Sequence, residues 1–283
     1  MIPAPARIAW RAFQRFIEHA GPDRAAAVAY YTLLSLLPLF IFVISVGVAL
    51  LGSFDAAYQG TLILFGGLVV HLDQASLDTL RAFVERSVRF QWPGILLLAW
   101  TSKRVFGGLL SALEAVFQVP GRGFARGNLM ALAMVLITGV GLLATLALTL
   151  VVATAEGLLL RFAPMGADAL RGMTAIAVTR GLPVLITLSF FFIVYRFVPH
   201  RVMRARHALA GAVLATVLWE GAKAGFAYYV RNLAHYAGLY GALEGVIVLA
   251  LWLELSVSII LYCGEVVALL IPAAIPAIPA ATD

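Results

Sequence analysis

Long apolar runs, broken at intervals by clusters of arginine, set the pattern of this chain. Between Arg126 and Glu156 lie 29 residues, Gly127–Ala155, without Asp, Glu, Lys or Arg, and Ala25–Ser53 is equally free of charge. An apolar helix of about 20 residues at roughly 1.5 Å rise matches a hydrocarbon core of about 30 Å. The pattern predicts a first span at Tyr30–Leu51, with Pro38 inside it removing a backbone hydrogen bond and kinking the helix. Further spans are predicted at Pro93–Phe117, Leu129–Ala153, Leu182–Val198, Ala208–Val230 and Leu243–Ile271. The implied fold class is all-α, a polytopic bundle of about six transmembrane helices with extra interfacial helices. It forms a single domain over residues 1–271.

The segments between spans carry their own patterns. Met1–Arg24 reads as a cytoplasmic amphipathic helix, with Ile8, Trp10, Phe13, Phe16 and Ile17 set among arginines. The apolar run after it is too long for a signal-peptide core, so a retained first span is expected. Thr61–Leu72 is apolar but only 12 residues long, too short to cross unaided. Asp73–Phe90 places Leu77, Leu80, Phe83, Val84 and Val88 at helical spacing among charges. Together these predict an interfacial or re-entrant hairpin followed by an amphipathic helix outside the membrane. Residues 272–283 alternate Pro and Ala and are expected to form a flexible tail.

Composition sharpens the class. A hydrophobic fraction of 63% and a mean hydropathy of +0.98 exceed what a soluble domain of this length carries. The net charge of +6 is unevenly spread. Arg7, Arg11, Arg15 and Arg24 precede the first span, and Arg196, Arg201, Arg204 and Arg206 crowd the link between the fourth and fifth. With Arg122 and Arg126, one side carries ten basic residues against seven on the other, which predicts both termini in the cytoplasm. Such clusters read as cytoplasmic rims rather than as a nucleic-acid surface. Arg201, Arg204 and Arg206 are candidate contacts for anionic headgroups.

Enzyme chemistry has little to build on. Cys263 is the only cysteine, and the five histidines are scattered without HExxH or ligand spacing. No GxSxG or Walker A motif occurs. No catalytic residue, metal or cofactor is therefore expected. The sharper signal is ionisable groups inside apolar helices. Glu220 and Lys223 stand three apart and share a helix face. Glu254 and Glu265 stand 11 apart, roughly 16 Å along one face. Lys103 and Arg104 lie near the middle of the second span and are candidate partners for Glu254. These six form a candidate polar pathway, against the plainer reading of charges that lock helices together.

Three segments carry a resemblance. Ala25–Leu39 reads AAAVAYYTLLSLLPL, and TSKRVFGGLLSALEAVF follows in the second span. Tyr195–Val267 opens YRFVPHRVMRARHALAGAVLATVLWEGAKAGFAYYV and closes YGALEGVIVLALWLELSVSIILYCGEVV. In this order they resemble the YihY/BrkB family, formerly mislabelled ribonuclease BN, over nearly the whole chain. The resemblance implies a six-helix protein of the bacterial inner membrane with cytoplasmic termini. It also implies that Tyr31, Pro38, Glu220, Lys223, Phe226, Tyr229, Tyr240, Gly241, Trp252 and Glu265 occupy family motif positions. Glu254 and Glu244 depart from the family pattern.

The leading function is transport of a lipid or other amphiphile across the membrane. A non-catalytic scaffold in envelope assembly or serum resistance is the alternative, and an RNA-processing enzyme finds no support in the residues. Expected partners are membrane lipids, further copies of the chain or envelope-assembly proteins, with no nucleic acid.

Overall fold

The computed structural model describes residues 4–64, 78, 81–82, 84–86, 91–121, 123, 125–135, 181–198, 204–232 and 244–270. Its elements are α1 (Ala4–Glu18), α2 (Gly21–Leu51), α3 (Phe54–Leu64), α4 (Gln91–Val116), α5 (Leu182–Phe197), α6 (Ala205–Asn232) and α7 (Glu244–Leu270). Residues 125–135 are also helical, and no strand occurs among the described residues. The fold is all-α, as the periodicity predicts. Two described helices are long and apolar enough to cross a membrane, Gly21–Ala49 and Gly245–Leu270, at mean hydropathies of 2.4 and 2.3. The expected third span and the Pro/Ala tail lie mostly or wholly outside the described residues.

The N-terminal segment differs from expectation. A single amphipathic helix to Arg24 is replaced by α1, a turn at His19–Ala20, and a first long helix that starts at Gly21. Ala20 adopts the left-handed region at φ 53°, and Pro22 sits in the first turn of α2, where its missing N–H costs nothing. A methyl at Gly21 would fall on the Phe16 ring, so glycine lets the two helices meet. The apolar residues of α1 also divide. Ala12 and Phe16 are buried on the bundle, whereas Trp10, Phe13 and Ile17 stay 61%, 46% and 52% exposed as a separate stripe.

Contacts fix the direction of the helices. Gln118, just after α4, reaches His19, just before α2. Gly264 near the end of α7 lies against Val116, Leu113 and Tyr195, near the ends of α4 and α5, while Gly211 at the start of α6 lies against Val267. So α2 runs antiparallel to α4 and α7, and one end of the bundle gathers the starts of α2 and α6 with the ends of α4, α5 and α7. The main core joins Leu113 and Val116 of α4, Phe191 and Tyr195 of α5, Ala212 and Ala215 of α6, and Leu261 and Val267 of α7. Tyr195 is fully buried, and its hydroxyl donates to the Ile260 carbonyl at 2.9 Å. That bond removes the penalty of an unpaired hydroxyl in the core.

A smaller core forms where α2 ends. Phe40, Ile41 and Ile44 meet Ala57 and Tyr58 of α3 and Val84. Gly52 closes α2 at φ 68°, its N–H donating to the Val48 carbonyl at 2.9 Å. Arg81 pairs with Asp55. The expected re-entrant segment is thus helical to Leu64, and the rest of Thr61–Leu72 lies outside the described residues.

Gly211 gives a test of this packing. A side chain there collides with Val267 and comes within 3.3 Å of the Tyr195 ring, whereas one at Gly221 meets nothing within 4 Å. Gly211→Leu should destabilise the detergent-solubilised protein by about 1–3 kcal/mol, as overpacked cores do. Gly221→Leu should leave its thermal midpoint unchanged or higher, because leucine favours the helix more than glycine. Equal midpoints for the two variants would refute the α6–α7 contact.

Candidate functional site

Among the described residues, three polar clusters interrupt the apolar bundle. The first lies at the end where α1 docks. Glu265 of α7 is fully buried, and its Oε1 lies 2.5 Å from His19 Nδ1. Arg15 Nε stands 3.3 Å from Oε2, close enough for an ion pair although not aligned as a hydrogen bond. The other ring nitrogen of His19 faces Gln118 Nε2 at 3.2 Å. An amide nitrogen can only donate, so this contact is a hydrogen bond when His19 Nε2 is unprotonated, with Nδ1 then donating to Glu265. Arg24 Nε donates to the His19 carbonyl at 2.9 Å and fastens the turn. Tyr262 OH donates to the Ala9 carbonyl at 3.3 Å, a second tie between α7 and α1.

The backbone is strained around this cluster. Ala20 and Gln118, at φ 53° and 50°, are the positive-φ residues other than glycine among the described residues. Gln118 stands where a helix usually ends on glycine, with Gln118 N donating to the Ala115 carbonyl and Val119 N to that of Glu114. A left-handed residue other than glycine costs about 1–2 kcal/mol. Glycine would close α4 more cheaply but has no side-chain amide to reach His19.

The second cluster follows one stripe of α4. Trp100, Lys103, Arg104, Gly107, Gly108, Ser111 and Glu114 recur at spacings of three and four and face a cavity of about 530 Å³. Tyr31 of α2 and Gly127, Asn128 and Ala131 of the 125–135 helix complete its wall, with Leu110. The Arg104 guanidinium lies 5.9 Å from the Tyr31 ring centre and 5.4 Å from that of Trp100. Gly107 leaves open space, since a Cβ there meets nothing within 4 Å.

The third cluster is on α6. Lys223 Nζ lies 2.8 Å from Glu220 Oε1, both side chains about two-fifths exposed. Aromatic rings nearby in sequence on the same helix pack against α7. Trp252 of α7 sits between Trp219 and Phe226 of α6, at 5.3 and 5.0 Å between ring centres. Phe226 also meets Tyr229 at 5.9 Å.

The six pathway residues are therefore not one array. Glu220 pairs with Lys223, Glu265 with His19 and Arg15, and Lys103 and Arg104 line the cavity. Glu254 makes no ion pair with Lys103 or Arg104 among the described residues. Arg204 and Arg206 are exposed at the start of α6, while Arg201, Tyr240 and Gly241 lie outside the described residues. Tyr31 belongs to the cavity wall, and Pro38 is a buried position inside α2. The sequence reading missed His19, Arg15 and Gln118. A signal was present: Arg15 and His19 fall four apart on the α1 face that also carries Ala12 and Phe16, opposite the exposed apolar stripe. No group of three His, Cys, Asp or Glu able to hold a metal occurs among the described residues.

Comparison with known proteins bears on the whole chain. The sequence profile of the family described as virulence factor BrkB matches residues 12–278. A UPF0761 membrane protein of Azotobacter vinelandii is 30% identical over 264 residues, covering 91% of this chain and 62% of the relative. Its Pseudomonas aeruginosa counterpart is 28% identical over 251 residues, covering 88% and 59%. A protein of Bacillus subtilis named as ribonuclease-like, YfkH, is 26% identical over 264 residues, covering 91% and 93%. The chain thus spans about three-fifths of the length of its UPF0761 relatives. No solved structure matches it.

The cluster at Glu265 makes a measurable claim. Removing the partner of a fully buried carboxylate typically costs about 3–5 kcal/mol, because its charge is left in an apolar site. Glu265→Ala and His19→Ala should each lower thermal stability in detergent, and the double variant should lose less than the sum. A coupling of about 1 kcal/mol or more is expected for groups in direct contact. Additive losses would mean that the two side chains do not meet.

Proposed function

The chain belongs to the virulence factor BrkB family of membrane proteins, and from that premise we propose a transporter that moves a lipid or another amphiphilic envelope component between the leaflets of the bacterial inner membrane. The observation that carries this reading is the cavity of about 530 Å³ along the polar stripe of α4. Lys103 and Arg104 stand 12 to 13 residues from either end of α4, roughly 18–20 Å of helix each way. A cation at such a depth costs about 2.5–3.5 kcal/mol on insertion scales, and such residues typically face a bundle interior or a wet cavity. A headgroup crossing the bilayer needs such a polar lining while its acyl chains remain in lipid.

The basic end of the bundle supports an orientation. Arg15, Arg24, Arg196, Arg204 and Arg206 gather where α2 and α6 begin and where α5 and α7 end. In this reading that end faces the cytoplasm, with both termini there, and the exposed arginines draw in anionic headgroups. The stripe formed by Trp10, Phe13 and Ile17 lies in the adjoining leaflet. The Glu220–Lys223 pair supplies a second polar step on α6.

Translocation of fluorescent lipids in proteoliposomes tests this. The intact protein should speed movement over empty vesicles, and Arg104→Gln should slow it by about tenfold, the worth of a charged hydrogen bond. Glu220→Gln and Lys223→Met should slow it as well if α6 lines the route. A correctly inserted protein that moves neither anionic nor zwitterionic lipid would end the transport reading and leave a scaffold in envelope assembly.

A further inference from the structure

We propose that the cavity along α4 is a binding site for a phosphate-monoester headgroup, with Arg104 as its principal contact and Lys103 beside it. The inference deepens the transport reading, on which it rests for the ligand's being a lipid. Three features select the ligand class.

The first is charge. Lys103 and Arg104 are adjacent in the chain and both line the cavity, whereas Glu114 stands ten residues from Arg104 along the same helix, about 15 Å away. The Arg104 end of the cavity therefore suits an anion, and a monoester carries about −1.5 to −2 at neutral pH.

The second is the way Arg104 is held. Tyr31 and Trp100 both lie within about 6 Å of its guanidinium, the range of a cation–π contact. Aromatic contacts restrict a long side chain that would otherwise sample many rotamers. The planar fork keeps five N–H donors, a geometry that matches two oxygens of one phosphate. The same rings would be the natural cage for a choline headgroup. Arg104 already occupies them, which disfavours a zwitterion of that kind.

The third is room. At about 530 Å³ the cavity is within the range of small-molecule sites. Gly107 and Gly108 leave the middle of the stripe without side chains, and Ser111 and Asn128 add neutral hydrogen-bonding groups to the wall.

Isothermal titration of the intact protein in neutral detergent tests the site without requiring transport. The probes are dihexanoyl phosphatidic acid, dihexanoyl phosphatidylcholine and inorganic phosphate. Phosphatidic acid should bind at least tenfold more tightly than either comparator. Arg104→Gln should weaken it by about tenfold or more. Gly107→Leu retains both cations and fills the open space, since its Cβ meets nothing within 4 Å. It should weaken binding by a similar factor with an unchanged thermal midpoint. Phosphatidic acid binding that neither variant weakens would overturn the site. Equal binding of phosphatidylcholine would overturn the anion preference, and equal binding of inorganic phosphate would overturn the lipid. Selective binding lost in both variants, from a protein that moves no lipid in vesicles, would keep the site and reject transport.

Discussion

One buried carboxylate organises the end of this bundle. Glu265 has no solvent exposure, and an isolated charge there would be untenable in an apolar surrounding. Among the described residues, its polar contacts come from outside α7, through His19 and Arg15. Those two sit on α1 and its turn, so α1 must dock for Glu265 to be satisfied. Docking in turn fixes where α2 begins, because Gly21 follows His19 by two residues and its lack of a side chain admits Phe16. Gln118 then ties the end of α4 to the same histidine. A single electrostatic demand thereby sets the relative positions of α1, α2, α4 and α7. The left-handed residues Ala20 and Gln118 fit this account. Each carries a local backbone penalty, and each stands where the chain must turn sharply to bring a polar group to His19 or to reverse away from it.

The long helices were largely legible from the chain. Expected spans at Leu182–Val198 and Leu243–Ile271 match α5 (Leu182–Phe197) and α7 (Glu244–Leu270) to within a residue, because apolar runs bounded by charge, glycine or proline leave little freedom in where a helix ends. The start of α2 was less legible. Arginines continue through Arg24, so charge alone extends the surface segment too far, while the Gly21–Pro22 pair marks the true boundary. Apolar residues on α1 read as one lipid-facing set. In fact the helix has two apolar faces, Ala12 and Phe16 toward the bundle and Trp10, Phe13 and Ile17 away from it. Composition does not separate them, but position around the helix does.

The site was legible in part. Glu265, Lys103 and Arg104 stand out as charges within apolar sequence, and that signal needs no structure. Their partners do not stand out. His19 and Glu265 are 246 residues apart, and no periodicity links them. Tyr31, Phe226, Tyr229 and Trp252 were known only as motif positions. The first proves to be cavity wall beside Arg104, and the other three form the aromatic seam between α6 and α7.

The charged clusters differ in kind, and the difference separates packing from binding. Glu220 and Lys223 lie 2.8 Å apart on one turn of α6, so the pair largely cancels its own field wherever the helix goes. Glu265 is answered by Arg15 and His19, and the gain is a fixed α1. In both arrangements the carboxylate faces a cation of its own cluster. Lys103 and Arg104 are neighbours of like sign, so they raise each other's cost rather than offsetting it. The aromatic rings at Tyr31 and Trp100 offset part of that cost, at roughly 0.5–2 kcal/mol for each cation–π contact. Such contacts orient the Arg104 cation without neutralising it. Two like charges facing a cavity suit an anion, and a bound phosphate would answer the Arg104 charge that the rings leave in place.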